Sequence, residues 1–319
     1  MSITTDRPLA IYYEHTEWFK PLFAELERRN IPYVKLHAGN HRFDIAEAPP
    51  YSLVFNRMSP SAYNRGNANA IFYTTSYLAY LKQRGVKVIN GYEAWLSETS
   101  KAYQLALLER LGIPYPKARV INHADQAAAA ADGLRFPVVI KPNIGGSGAG
   151  VRRFDSPEEL QIAAEIGELN LGVDSTALIQ EFIPQEEGRI VRVEVLGGKY
   201  LYGIRIYTPG NSFDLCPADV CQRVDGAQLD AQVCAVDAVS RGLKVEDFAP
   251  SAEIRSQVER IMREARIDVG GIEYMIDSRD NQLYFYDINA LSNFVADAPN
   301  VIGFDPFARL VDYLVQEAS

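Results

Sequence analysis

Two lysines, a run of glycines and a set of oxygen-bearing side chains are the residues best suited to chemistry in this sequence. Lys141 ends the apolar run FPVVIK and stands directly before a loop holding Gly145, Gly146, Gly148 and Gly150, with Ser147 among them. Glycine lets backbone N–H groups approach phosphate oxygens closely, and the lysine adds a point charge for the same anion. The plain alternative is a flexible hairpin tip with a surface lysine. Lys101 comes earlier, in a Thr-Ser-Lys context at the predicted start of a helix. Ser97 and Thr99 are candidate caps there, so the helix N-terminus and Lys101 could face one anion together. A solvated lysine is the competing explanation.

Gln180, Glu181, Phe182 and Ile183 close an apolar run before a proline. A strand edge offers backbone donors and acceptors to an adenine ring, and Glu181 could accept from its exocyclic amine. An ordinary strand end would read the same way. Asp287 and Asn289 lie two apart on a predicted strand, so both side chains point to one face. Glu273 falls on the strand before it, within reach across the pair. Hard oxygen ligands that converge in this way suit Mg²⁺ bridging nucleotide phosphates. A solvated sheet face is the alternative, but acids inside an apolar run such as YFYDIN need partners.

The elements that must position these residues alternate. LAIYYE (9–14), IPYVKL (31–36), YSLVFNRM (51–58) and VKVIN (86–90) read as strands. Helical spacing covers 17–30 and 70–84, which makes a small α/β layer domain over residues 1–95. A second region, 96–178, opens with one helix stopped by Gly112 and Pro114, then a strand. It continues into a predicted hairpin with the glycine-rich tip and a helix capped by Ser156. The third region, 179–319, is rich in strands: a hairpin over 190–207 with a Gly-Gly turn, and two strands flanking a turn at 278–281. Helices are predicted over 251–267 and 305–318, and a long polar loop over 208–232.

Composition narrows the classes. The chain has 319 residues, 47% hydrophobic and 23% charged, with a formal charge of −9. No dense basic cluster occurs, which speaks against nucleic acid as a partner. The N-terminal segment is too polar for a signal peptide, and no apolar run is long enough to cross a membrane. Cys216, Cys221 and Cys234 read as reduced thiols, better explained as small buried hydrophobes than as metal ligands. A cytoplasmic protein is expected.

In series, SKAYQLALLERLGIPYPK, VVIKPNIGGSGAGV, IQEFIP, VRVEVLGGKYLYGIR and GGIEYM with YDINALSNF resemble the ATP-grasp superfamily. Within it they are similar to the RimK-like and glutathione-synthetase-like ligases. The resemblance spans roughly residues 97–319 and implies an ATP-grasp fold of the α/β (α+β) class, preceded by a pre-ATP-grasp domain. It implies that Lys101 and Lys141 hold the α- and β-phosphates and that the loop 145–150 covers the triphosphate. It assigns adenine to Gln180, Glu181 and the backbone of Phe182 and Ile183. Arg192 and Arg205 would lie near the γ-phosphate and the substrate carboxylate. Glu273, Asp287 and Asn289 would hold two Mg²⁺ ions, or Mn²⁺ in their place. Two departures stand out. Ile190 replaces an aspartate common in relatives, which leaves ribose to Glu186 or Glu187. The acids of the metal set come as glutamate then aspartate, the reverse of many similar ligases.

The implied reaction joins small-molecule carboxylate and amine substrates through an acyl phosphate, and relatives of this kind often form homodimers. Substrate choice would fall to the N-terminal domain and to Asp214, Asp219 and Arg223 in the long loop. Arg57 and Arg65 are candidates for a carboxylate clamp, against surface arginines. Competing functions are a catalytically silent ATP-binding regulatory protein and an ATP-grasp kinase that stops at a phosphorylated small molecule. An NAD-dependent enzyme is disfavoured, because the glycines follow Lys-Pro instead of opening a helix.

Overall fold

The first strands are apolar throughout because both of their faces are covered. In this computed structural model, which describes residues 3–146, 148–185, 188–207 and 244–319, β1 (Leu9–Tyr13) and β3 (Leu53–Arg57) are buried at every position. With β2 (Tyr33–His37) and β4 (Val88–Ile89) they form a parallel sheet in the order β2-β1-β3-β4. Alternation splits β1 between two layers. Leu9, Ile11 and Tyr13 pack with α1 (Lys20–Arg28), while Ala10 and Tyr12 pack with α2 (Ala68–Gln83). Ser147, Glu186, Glu187, Asp214, Asp219, Arg223 and the three cysteines lie outside the described residues.

Two helices follow where the sequence suggests one. α3 (Tyr92–Glu98) and α4 (Lys101–Leu111) break at Thr99 and Ser100. Ser100 caps α4, its Oγ accepting from the Tyr103 N–H at 3.2 Å. Ser97 is buried inside α3, and the Thr99 hydroxyl donates back to the Trp95 carbonyl at 2.7 Å. Neither candidate cap is therefore used. Ser100 is the residue with the extended backbone that capping requires. Gly112 ends α4 with a φ of 65°, a conformation glycine adopts freely.

The second sheet is antiparallel, in the order β5-β8-β6-β7, built from β5 (Ala118–Ile121), β6 (Val138–Pro142), β7 (Arg152–Phe154) and β8 (Ala177–Glu181). One face buries Val138, Ile140 and Ile179 against α5 (Ala127–Ala131) and α6 (Pro157–Glu165). Ser156 caps α6, accepting from the Glu159 N–H at 3.2 Å. The other face carries Lys141 and Leu178, which are register partners.

A third sheet runs β11-β10-β9-β12-β13, from β9 (Arg189–Leu196), β10 (Lys199–Tyr207), β11 (Lys244–Asp247), β12 (Val269–Ile276) and β13 (Leu283–Asn289). Gly197 and Gly198, with φ of 60° and 69°, make the tight turn joining β9 to β10. Val191, Val193, Ile272 and Tyr274 pack under α7 (Ala252–Glu264). The opposite face packs Tyr202, Ile204 and Ile206 toward the first sheet. After α8 (Ala298–Ile302), α9 (Pro306–Glu317) returns to α1. Leu310, Val311 and Leu314 join the cluster of Leu22, Phe23 and Leu26, and Arg29 pairs with Asp312. No helix among the described residues is long and apolar enough to cross a membrane.

Candidate active site

Four elements deliver charge to one cleft. β6 carries Lys141, the first turn of α4 carries Lys101, and the paired strands β12 and β13 carry Glu273 opposite Asp287. The Lys101 ammonium donates to Asp287 Oδ1 at 2.5 Å, and Lys141 Nζ lies 4.0 Å from the same oxygen. Burial alone would push the Asp287 carboxyl up, but Lys101 and Lys141 outweigh it and hold it below the usual aspartate range. Burial likewise opposes the charge on Lys101, and Asp287 more than restores it. Both partners are thus charged at neutral pH. Gly145, Gly146 and Gly148 cover the group, and with Lys101, Lys141, Glu273, Tyr286 and Asp287 they line a cavity of about 40 Å³.

Local structure fixes the two lysines relative to each other. Asn143, two residues after Lys141, accepts at its Oδ1 from Ser100 Oγ at 3.1 Å and from the Ala102 N–H at 3.0 Å. Its backbone carbonyl accepts from the Lys101 N–H at 3.2 Å. One asparagine therefore docks the start of α4 on the end of β6 and satisfies donors that a helix N-terminus leaves open. Gly146 lies against Ser61, in the segment between β3 and α2: a Cβ there would stand 2.9 Å from Ser61 Cβ.

Arg192 and Glu273 are register partners on β9 and β12. The Arg192 guanidinium donates to Glu273 Oε1 at 2.8 Å and to Glu194 Oε1 at 2.6 Å. Burial works against its charge, and the two glutamates overcome that, so its pKa is raised. Gly271 makes room for this ladder, since a Cβ at that position would be 2.6 Å from Arg192 Nη2. On β13 the register slips: Glu273 faces Asp287 but Tyr274 faces Phe285. Tyr286 is the extra residue of this bulge. Its hydroxyl donates to Glu273 Oε2 at 2.5 Å, and its carbonyl accepts from Lys141 Nζ at 3.3 Å.

Residues 98–213 match the RimK-like ATP-grasp domain family. The chain is 29% identical over 165 residues to a probable alpha-L-glutamate ligase of Teredinibacter turnerae, covering 51% of each. It spans about half the length of the curated relatives it matches first. Across 98% of the chain and 99% of the other, the fold superposes on the ATP-grasp ligase PsnB bound to a phosphomimetic precursor variant, Mg and ADP, with a TM-score of 0.68 and 16% identity. D-alanine–D-alanine ligase of Bacillus anthracis is similar over 98% of this chain and 97% of that one, with a TM-score of 0.67 and 17% identity. Residues 98–213 therefore carry a RimK-like ATP-grasp domain. Its RimK-like character and mixed α/β fold agree with what the motifs imply.

Other residues fall elsewhere around the cleft. Gln180 shares a face of β8 with Leu178, the partner of Lys141, whereas Glu181 faces the helices. The Glu181 carboxylate accepts from the Arg135 backbone N–H and Nε, both at 3.0 Å. The reading of Glu181 as a side-chain acceptor for adenine is thus corrected: alternation turns it away, and Arg135 occupies it. Phe182 donates from its N–H to Pro137 and accepts from Arg279 Nη2 at 3.1 Å. Ile183 packs with Ile190, Met275 and Tyr286, so this strand end supplies an apolar wall next to the cavity. Gly150, with a φ of 77°, stands at the loop's base against Pro142 and Asn170 and does not line the cavity.

Arg205 requires a second correction. It pairs with Val191, one residue out of step with Arg192, and so lies on the opposite face of the sheet. There its guanidinium stacks 3.6 Å from the Phe248 ring, away from Glu273 and Asp287. Arg57 and Arg65, the candidate clamp, are also engaged by the protein. Arg65 pairs with buried Glu14. Arg57 is 2% exposed and donates to the Ser292 carbonyl and to Asn293 Oδ1. Two further guanidinium nitrogens of Arg57, and Glu194 Oε2, are buried without a hydrogen bond.

The residues present fit a divalent cation of the hard class. Among the described residues no group of three His, Cys, Asp or Glu gathers as a metal centre. The fit rests on two carboxylates and one amide: Glu273 and Asp287 face each other, and Asn289 Nδ2 donates to Asp287 Oδ2 at 3.2 Å. An all-oxygen set of this kind is what Mg²⁺ takes beside phosphate. Tyr286, Asn143, Arg135 and Glu194 escaped the sequence reading. Only Asn143, in Lys-Pro-Asn, carried a local signal.

Proposed function

We propose that this ATP-grasp chain is an ATP-dependent carboxylate–amine ligase working through an acyl phosphate on an amino acid, peptide or similar small carboxylate. The observation that carries the reading is the meeting of Lys101, Lys141, Asp287 and Glu273 in one buried cleft under a glycine loop. A triphosphate entering there would take over the lysines from Asp287, which frees its carboxylate. Lys101 and Lys141 would then bind phosphate oxygens, and Arg192 would hold Glu273 in place. Two Mg²⁺ ions at Glu273, Asp287 and Asn289 would supply charge neutralisation across the phosphates. The cavity of about 40 Å³ holds roughly one water. On this reading the loop 145–150 would lift to admit nucleotide, and its closure would then exclude water from the acyl phosphate.

A larger cavity, about 610 Å³, opens between Trp18 of the first domain and the segment following β13. Its walls include Pro21, Phe294, Val295 and Phe307, with Glu17 and Asp297 at the rim. A substrate with an apolar body would fit there, beside the end of the proposed metal strand. The test is a phosphate-release screen of amino-acid and dipeptide pairs with Mg-ATP, read with product mass. ADP, phosphate and a condensed product are expected only when both partners are present, and hydroxylamine should trap the acyl group as a hydroxamate. Nucleotide binding with no phosphate above background would favour a silent binder. A phosphorylated substrate without condensation would identify a kinase.

A further inference from the structure

We infer that Tyr286 is a positioning residue for both halves of the site, holding Glu273 through its hydroxyl and Lys141 through its ring and carbonyl. The inference rests on the nucleotide reading proposed above. A regular strand would turn Tyr286 away from Asp287, because successive side chains alternate. The bulge opposite Glu273 and Tyr274 removes that alternation locally, and both Tyr286 and Asp287 line the cavity.

Of these contacts, only the one made by the hydroxyl is specific to tyrosine. Glu273 has one oxygen on Arg192 at 2.8 Å and the other on the Tyr286 hydroxyl at 2.5 Å. Each carboxylate oxygen offers two lone-pair directions, so one remains on each for a cation. Two fixed donors lock the rotamer, and the remaining directions are set before any ligand arrives. Donors behind a ligating carboxylate tune cation affinity in this way. On the other side, Lys141 Nζ lies 3.3 Å from the Tyr286 carbonyl and 5.4 Å from its ring centroid. The ring thus carries the ammonium that sits 4.0 Å from Asp287. A phenylalanine would keep the ring and carbonyl and lose only the hold on Glu273.

The experiment measures binding of a non-hydrolysable ATP analogue, in EDTA and across a Mg²⁺ titration, for the wild-type chain and two variants. Tyr286→Phe should raise the Mg²⁺ half-saturation by about tenfold and leave affinity in EDTA within about twofold. Tyr286→Leu should also weaken binding in EDTA, by about threefold. A general structural defect would move both readouts together in Tyr286→Phe, and that result overturns the inference. An unchanged Mg²⁺ half-saturation in Tyr286→Phe overturns it too. Combining Tyr286→Phe with Glu273→Gln should cost no more Mg²⁺ affinity than Glu273→Gln alone, and additive losses would count against the inference. A wild-type chain that binds no analogue overturns the nucleotide reading as well, whereas normal wild-type binding with unaffected variants overturns only the role of Tyr286.

Discussion

Asp287 sits between two ammonium groups and is the residue on which the cleft's charge balance turns. Asp287→Asn leaves Lys101 and Lys141 facing each other and removes one of the proposed cation ligands. Ligation should fall on the order of 10²–10³-fold, as for loss of one preorganised electrostatic group, with the circular dichroism spectrum retained. Glu98 behaves differently. Its carboxylate accepts from the Ala290 N–H, and burial pushes its pKa up to about 7 from the usual 4.5. The folded state therefore binds a proton that the unfolded state has released between those values. Its stabilising share is complete below about pH 4.5 and is lost as pH rises through about 7. Glu98→Gln should gain up to about 3 kcal/mol relative to wild type between pH 5 and 8. Urea unfolding without metal or nucleotide measures this, and a pH-independent difference would contradict it.

At the scale of elements, close approach decides what each strand and loop can carry. Gly271 on β12 leaves the space in which the Arg192 guanidinium reaches Glu273. Gly271→Ala should displace the arginine, cost about 1–3 kcal/mol in stability and weaken Mg²⁺ binding in the same titration. The loop 145–150 makes a similar demand, because Gly146 meets Ser61 between β3 and α2. Gly146→Ala should bind nucleotide nearly normally yet close poorly. Turnover should drop about tenfold, with more phosphate released per product formed. Unchanged coupling would show that this contact is not needed for closure.

The whole molecule is tied together by α9, which carries Leu314 into the core shared by the first sheet and the third. Leu314→Ala should cost about 2–5 kcal/mol and lower the melting temperature of a single cooperative transition. Two separate transitions would mean that the layers unfold independently. Much of this architecture was readable from periodicity. The apolar runs 9–14 and 51–58, the Gly197-Gly198 turn, the Ser156 cap and the paired strands around Glu273 and Asp287 each carry a local signal of period or turn chemistry. So does the loop of glycines behind Lys141. What local pattern could not supply was register and long-range partnership. Arg205 faces away from Arg192 because it pairs one residue out of step, and Glu181 is taken by Arg135 from the segment leading into the neighbouring β6. Tyr286 enters the cleft only because β13 carries one residue more than its partner. The sequence by itself determined which elements form and which lysines, glycines and acids they bear, since those follow from nearest-neighbour sterics and hydrophobic spacing. Only the tertiary structure decided which of them meet, because facing depends on strand registration and on packing between chain segments far apart.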